Sequence, residues 1–170
     1  MTYKKNKYKH MKTIISSILF LFVVTIQAQV KSFSTEALND SFVTYEGEDI
    51  TFSEILESYK GKTILIDVWA AWCKDCIKGM PKVKRLQKNN EDVVFLFLSL
   101  DKTQETWKKA IDKFNIEGEH YYVPLGWKSP FCASIDLDWV PRYIIVNPEG
   151  EISLYKAIKA DDEILIETLK

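Results

Sequence analysis

Cysteine is scarce in this chain, with three residues among 170. That is too few for a disulfide framework to hold a domain of this size, so the fold must rest on a hydrophobic core. Histidine is scarcer still: only His10 and His120 occur, and a zinc site started by two cysteines would lack a second pair of ligands. Charge of neither sign is in excess, since 23 Lys and Arg stand against 24 Asp and Glu for a net charge of -1. Beyond the amino-terminal segment the lysines are dispersed, which excludes a basic nucleic-acid footprint. Six glycines and five prolines form no low-complexity tract or linker, and no internal repeat is present. An apolar fraction of 46% suits one globular domain.

The long uninterrupted apolar run lies near the start. Lys4, Lys5, Lys7, Lys9 and Lys12 precede Thr13 to Ile26 (TIISSILFLFVVTI), and Gln27-Ala28-Gln29 offers a small residue for cleavage, the three parts of a secretory signal. A helix of about 14 residues extends about 21 Å, short of the roughly 30 Å hydrocarbon core, which favours cleavage over a permanent anchor. The expected division is a signal peptide over 1–28 and one domain over 29–170. The mature chain is then periplasmic or otherwise extracytoplasmic, without a stable membrane span; left uncleaved, the segment would anchor it. No cysteine stands near residues 26–30 to carry a lipid. Met11 serves equally well as a start, because a complete signal follows it.

Further along, short alternating segments around Phe42-Val43 and Ile50-Thr51-Phe52 flank a turn-like EGED and predict a small hairpin. Ser53 before Glu54 to Tyr59 reads as a capped short helix ending at Gly61. Thr63 to Ala70 is too continuously apolar for a half-exposed strand and belongs in the middle of a sheet. Ile77, Met80, Val83 and Leu86 then recur among lysines as a helical stripe, with Pro81 inside it. Val93 to Leu100 is a second core strand, parallel to the first by the strand-helix-strand rule. Trp107, Ala110, Ile111 and Phe114 mark another helix, Tyr121 to Leu125 a short strand, and Phe131 to Ile135 a helical turn. Arg142 to Val146, the Asn147-Pro148-Glu149-Gly150 turn, Glu151 to Tyr155 and a helix from Asp161 to Leu169 close the chain.

Chemistry concentrates at Cys73-Lys74-Asp75-Cys76. A Cys-x-x-Cys between a strand and a helix places the first sulfur where free backbone N–H groups and the helix dipole favour a thiolate. Cys73 can then attack a disulfide, and Cys76, one turn on, can resolve the mixed disulfide. Two other readings stay open at this point. A loop this short makes a poor structural staple, and half a zinc site lacks its other ligands. Cys132 reads as a small buried apolar residue, with a regulatory thiol as the alternative. Trp69, Trp107, Trp127 and Trp139 read as core or surface-packing residues, while Trp72 and Trp139 are also placed to line an active-site face.

Six residues before Cys73, Asp67 interrupts the apolar strand. A charged carboxylate costs several kcal/mol in an apolar core, so its pKa is expected to rise towards neutrality. Behind the cysteines it could take the proton of Cys76. The plainer possibility is a carboxylate held by a backbone donor that merely fixes the strand.

The segment DVWAAWCKDC resembles the thioredoxin active site: a buried Asp before the pair, a Trp directly before the first Cys, and a Pro in the following helix. WVPRYIIVNPEGEI resembles the thioredoxin-fold element in which a cis-proline opens a strand and hairpin. Together with the amino-terminal hairpin and the long interval between Asp101 and Pro141, these features resemble the exported TlpA/ResA-type thiol-disulfide oxidoreductases over about residues 33–170.

The resemblance implies an α/β thioredoxin fold, a central mixed sheet flanked by helices, with an amino-terminal β-hairpin and an inserted helix-strand segment. It implies catalytic roles for Cys73, Cys76 and Asp67, and substrate contacts at Trp72, Lys74, Asp75, Val140 and Pro141. It implies protein thiol/disulfide substrates and a membrane-embedded electron donor, with reduction during cytochrome c maturation among the family's tasks. No cofactor and no resident metal is expected, and no c-type haem signature is present. The dipeptide Lys74-Asp75 departs from the family's usual proline-containing pair: Lys74 favours the Cys73 thiolate and Asp75 opposes it. A thiol peroxidase on the same fold would want a Thr-x-x before its cysteine, which Trp72-Cys73 does not supply. A copper carrier would want a nearby His or Met.

Overall fold

The computed structural model describes residues 32–170; the signal segment and the mature start near Gln29 lie outside them. A four-residue helix α1 (Thr35–Leu38), not expected from the sequence, precedes the hairpin of β1 (Ser41–Thr44) and β2 (Asp49–Thr51). α2 spans Phe52–Ser58 and begins two residues earlier than a cap at Ser53 would place it. Thr51 is the N-cap, and it exchanges hydrogen bonds with Glu54 in a capping box that satisfies two otherwise free N–H groups.

Next come β3 (Ile64–Trp69), α3 (Lys74–Asn89), β4 (Val94–Ser99), α4 (Gln104–Phe114) and β5 (Glu119–Tyr122). A short 3-10 turn at Gly126–Lys128 and α5 (Pro130–Ser134) lead to β6 (Arg142–Val146), β7 (Ile152–Ala157) and α6 (Glu163–Thr168). The expected Tyr121–Leu125 strand is shifted towards its start: Glu119 to Tyr122 pair with β4, and Val123 leaves the strand.

The seven strands form one mixed sheet in the order β2-β1-β5-β4-β3-β6-β7. β3 and β4 run parallel, as do β4 and β5, whereas β6 lies antiparallel against β3. This is the helix-flanked mixed sheet that the resemblance implied. β4 is its middle strand, and β3 is one place along, buried at all six positions between β4 and β6. That double-sided cover is why its sequence shows no polar alternation.

In α3 the buried stripe is Cys76, Met80, Val83 and Leu86; Ile77 is only half-buried. Phe33, Phe42, Phe52 and Phe131 form an aromatic cluster with Phe33–Phe52 and Phe52–Phe131 centroids both 4.8 Å apart. It joins the amino-terminal hairpin and α2 to the segment between β5 and β6, each ring contributing about 1.5–3 kcal/mol by burial. Beneath it, Asp40 is buried and accepts hydrogen bonds from the Ser129 hydroxyl and from Phe131 N–H, the latter at 3.2 Å.

Candidate active site

β3 delivers the cysteine loop from the sheet. Its last residue is Trp69, and Asp101, just past β4, receives the loop that follows: both Asp101 carboxylate oxygens accept from Ala71 N–H at 3.1 Å. Ser99 Oγ donates to the same carboxylate at 2.9 Å. Burial nevertheless pushes the Asp101 carboxyl above its ordinary pKa, with these bonds opposing the rise. Cys73 N–H donates to Ala70 O at 3.0 Å and closes the turn.

Cys73 is the N-cap of α3. Cys76 N–H donates to its Sγ at 3.1 Å, so a backbone dipole at the helix start already points at the sulfur. The two sulfurs form a disulfide in this structure. Cys73 is 7% exposed and Cys76 1%, and Cys73 rather than Cys76 borders the adjoining groove. An incoming sulfur can therefore meet Cys73 and not Cys76. On the far side, the Val140–Pro141 peptide bond is cis, and the Val140 carbonyl oxygen lies 3.4 Å from Cys73 Sγ.

Asp67 is wholly enclosed in β3, opposite Tyr143 of β6. Desolvation lifts its carboxyl from 3.8 to about 8; the Tyr143 hydroxyl opposes that rise without completing a hydrogen bond to either oxygen. The backbone-held carboxylate of the plainer reading is thus not what is found: among the described residues neither oxygen has a partner. A methyl group on Gly79, one turn beyond Cys76, would meet the Tyr143 hydroxyl oxygen at 3.4 Å, so Tyr143 spans from Asp67 towards α3.

Of the residues expected at the site, Trp72, Cys73, Lys74, Asp75 and Val140 border one groove of about 380 Å³. Pro141 instead lines a neighbouring cavity of about 230 Å³ with Asp75 and Tyr143. Asp67 lines neither.

Four contributors escaped the sequence reading. Asp101 stands directly after an apolar strand, a position whose polarity could have flagged it. Arg142 is a charged residue inside the apolar run RYIIV, the same anomaly that exposed Asp67. It is fully buried, paired with Asp138 and donating to Ile135 O at 3.3 Å, and so braces the loop ahead of Pro141. Trp127 and Asp138 border the groove, and nothing in their local sequence announces it. Cys132 is buried and free, its thiol pushed up to about 12 by burial, which keeps it in the protonated form at neutral pH.

A family described as Thioredoxin-like matches residues 61–152. The thioredoxin-like protein YneN of Bacillus subtilis (strain 168) is 32% identical over 85 residues, covering 48% of each chain. This chain therefore spans about half the length of that relative. The thiol:disulfide interchange protein DsbE of Haemophilus influenzae is 24% identical over 176 residues, covering 94% of this chain and 93% of the relative. Among solved structures, the thiol-disulfide oxidoreductase from Bacteroides fragilis NCTC 9343 superposes with a TM-score of 0.66 at 25% identity, covering 79% of this chain and 97% of the other.

Proposed function

This chain belongs to the thioredoxin-like family, and on that premise we propose that it is an exported thiol-disulfide oxidoreductase that reduces protein disulfides through Cys73 and Cys76. The observation that carries the proposal is the asymmetry of the pair: a helix-capping Cys73 open to a groove, with Cys76 enclosed behind it.

In the reduced protein, Cys73 thiolate attacks one sulfur of the substrate disulfide. That S–S bond breaks, a mixed disulfide with Cys73 forms, and the first substrate sulfur leaves as a thiolate. Asp67 takes the proton of Cys76. The new Cys76 thiolate attacks Cys73 Sγ, expels the second substrate thiolate and leaves the Cys73–Cys76 disulfide seen here. The substrate gains two electrons and leaves as two thiolates that take protons from solvent, while the protein loses two electrons and the single proton of Cys76, which Asp67 passes on to water. A dithiol donor on or in the membrane restores the pair by the reverse exchange. Trp72, Lys74, Asp75 and Val140 border the groove at Cys73 and supply the substrate contacts, with Pro141 contributing from the adjoining cavity.

Export rests on the basic, apolar and small-residue pattern of residues 4–28. Among the described residues no helix is long and apolar enough to cross a membrane. Amino-terminal sequencing of the protein from its native compartment is expected to begin near Gln29; Lys4 to Lys12 still attached would reject cleavage. For the activity, the reduced protein is expected to accelerate insulin precipitation fed by dithiothreitol. A rate no higher than that of dithiothreitol alone would reject the oxidoreductase reading.

A further inference from the structure

Of the five tryptophans, Trp69 and Trp107 are fully buried, while Trp72, Trp127 and Trp139 are 50%, 44% and 57% exposed. All three exposed ones border the groove at Cys73. They come from three separate parts of the chain: the cysteine loop, the 3-10 turn after β5, and the loop before Pro141. Three large apolar side chains left in water around one sulfur mark a surface meant to be covered. What covers it must carry a disulfide, because the groove opens onto Cys73.

We propose that this groove selects disulfides of extended polypeptides in which an aromatic or large aliphatic side chain adjoins the half-cystine. The inference rests on the exchange reading and names its substrate class. A volume of about 380 Å³ suits one such side chain with its flanking backbone and is far too small for a folded domain. The Val140 carbonyl beside Cys73 Sγ offers a main-chain acceptor to an extended strand laid along the groove. The charges argue against a small anionic disulfide such as oxidised glutathione: the rim carries Lys74 against Asp75 and Asp138, and no cluster of cations awaits its carboxylates.

The walls are held before the substrate arrives. Trp127 sits in a turn closed by Lys128 N–H to Leu125 O at 3.1 Å and Ser129 N–H to Gly126 O at 3.1 Å, and the Ser129 hydroxyl is tied to buried Asp40. Trp139 follows Asp138, which the buried Arg142 guanidinium holds. Preformed walls spare the substrate part of the ordering cost and let apolar contact decide selectivity.

Short peptides carrying a mixed disulfide with cysteamine, and Trp, Leu, Gly or Glu after the half-cystine, test this with the reduced protein. The kcat/KM for the Trp and Leu peptides is expected to exceed that for the Gly peptide by about tenfold. Trp127→Ala and Trp139→Ala are each expected to bring that ratio to about twofold, and Trp127→Phe to restore most of it. Equal constants across the series in the wild type, or a ratio that survives both alanine variants, would overturn the inference while leaving exchange intact. No exchange with any peptide, where dithiothreitol reduces all of them, would remove the exchange reading and this inference with it.

Discussion

Asp101 holds the cysteine loop from β4: its two carboxylate oxygens both lie 3.1 Å from Ala71 N, two residues before Cys73. Removing it with Asp101→Ala leaves that N–H and the Ser99 hydroxyl without their acceptor. The expected cost is about 1–3 kcal/mol, read by urea unfolding of the oxidised protein, together with slower attack by Cys73. Asp101→Asn keeps one carbonyl oxygen for Ala71 and is expected to retain part of both. An alanine variant as stable and as fast as the wild type would deny Asp101 this positioning role.

The unequal access of the two sulfurs sets apart their variants. Cys73→Ser is expected to abolish insulin reduction, whereas Cys76→Ser is expected to accumulate mixed disulfides through Cys73. Non-reducing gels and mass spectrometry of trapped adducts distinguish them. Equal trapping by both variants would reject the assignment of nucleophile and resolving thiol.

Asp67 predicts a pH dependence of defined sign. Folding raises its carboxyl from 3.8 to about 8, so between those values the folded chain keeps a proton that the unfolded chain has released. Stability from the uncharged carboxyl is full below the unfolded value and declines as pH rises to about 8, by up to about 1.4 kcal/mol per pH unit. Asp67→Asn removes that slope. Its stability advantage, measured by urea unfolding of the disulfide form, is expected to widen over that window and level off above it.

In the proposed exchange the same carboxyl takes the Cys76 proton. A proton acceptor must first ionise, so the wild-type rate of mixed-disulfide resolution is expected to rise through about pH 8. Asp67→Asn should be slower on the order of 10²-fold and lack that inflection. Rapid-mixing kinetics with matching profiles for the two proteins would exclude proton transfer by Asp67.

Direction of electron flow follows from the balance around Cys73. The start of α3, the Cys76 N–H and Lys74 favour its thiolate; Asp75 in the first turn opposes it, joined by Asp67 once that carboxyl ionises near pH 8. A weakly stabilised thiolate makes a disulfide that is hard to reduce, so the potential is expected near thioredoxin's about -270 mV rather than the about -120 mV of a strong oxidant. Equilibration in glutathione or dithiothreitol buffers with thiol alkylation measures it. A value close to the oxidant's would overturn the reductant assignment and leave the exchange chemistry standing.

Local chemistry was legible in the sequence wherever one residue type contradicted its surroundings or a short spacing imposed geometry. The unbroken apolar run of β3 marked an interior strand, Asp67 within it marked a costly carboxylate, and Cys73-x-x-Cys76 at a strand-helix junction marked a reactive sulfur, because each depends on neighbours a few residues away. The α2 cap was missed by two residues for a local reason: Thr51 and Glu54 stand at the capping-box spacing, and Ser53 does not. What tertiary structure alone decided was which distant groups meet. Asp101 reaches Ala71 across thirty residues, Asp40 reaches Ser129 across eighty-nine, and Trp72, Trp127 and Trp139 converge on one groove. Those contacts depend on the order in which strands join the sheet, and strand order is set by the summed burial of whole faces, to which no single side chain's neighbours in sequence bear witness.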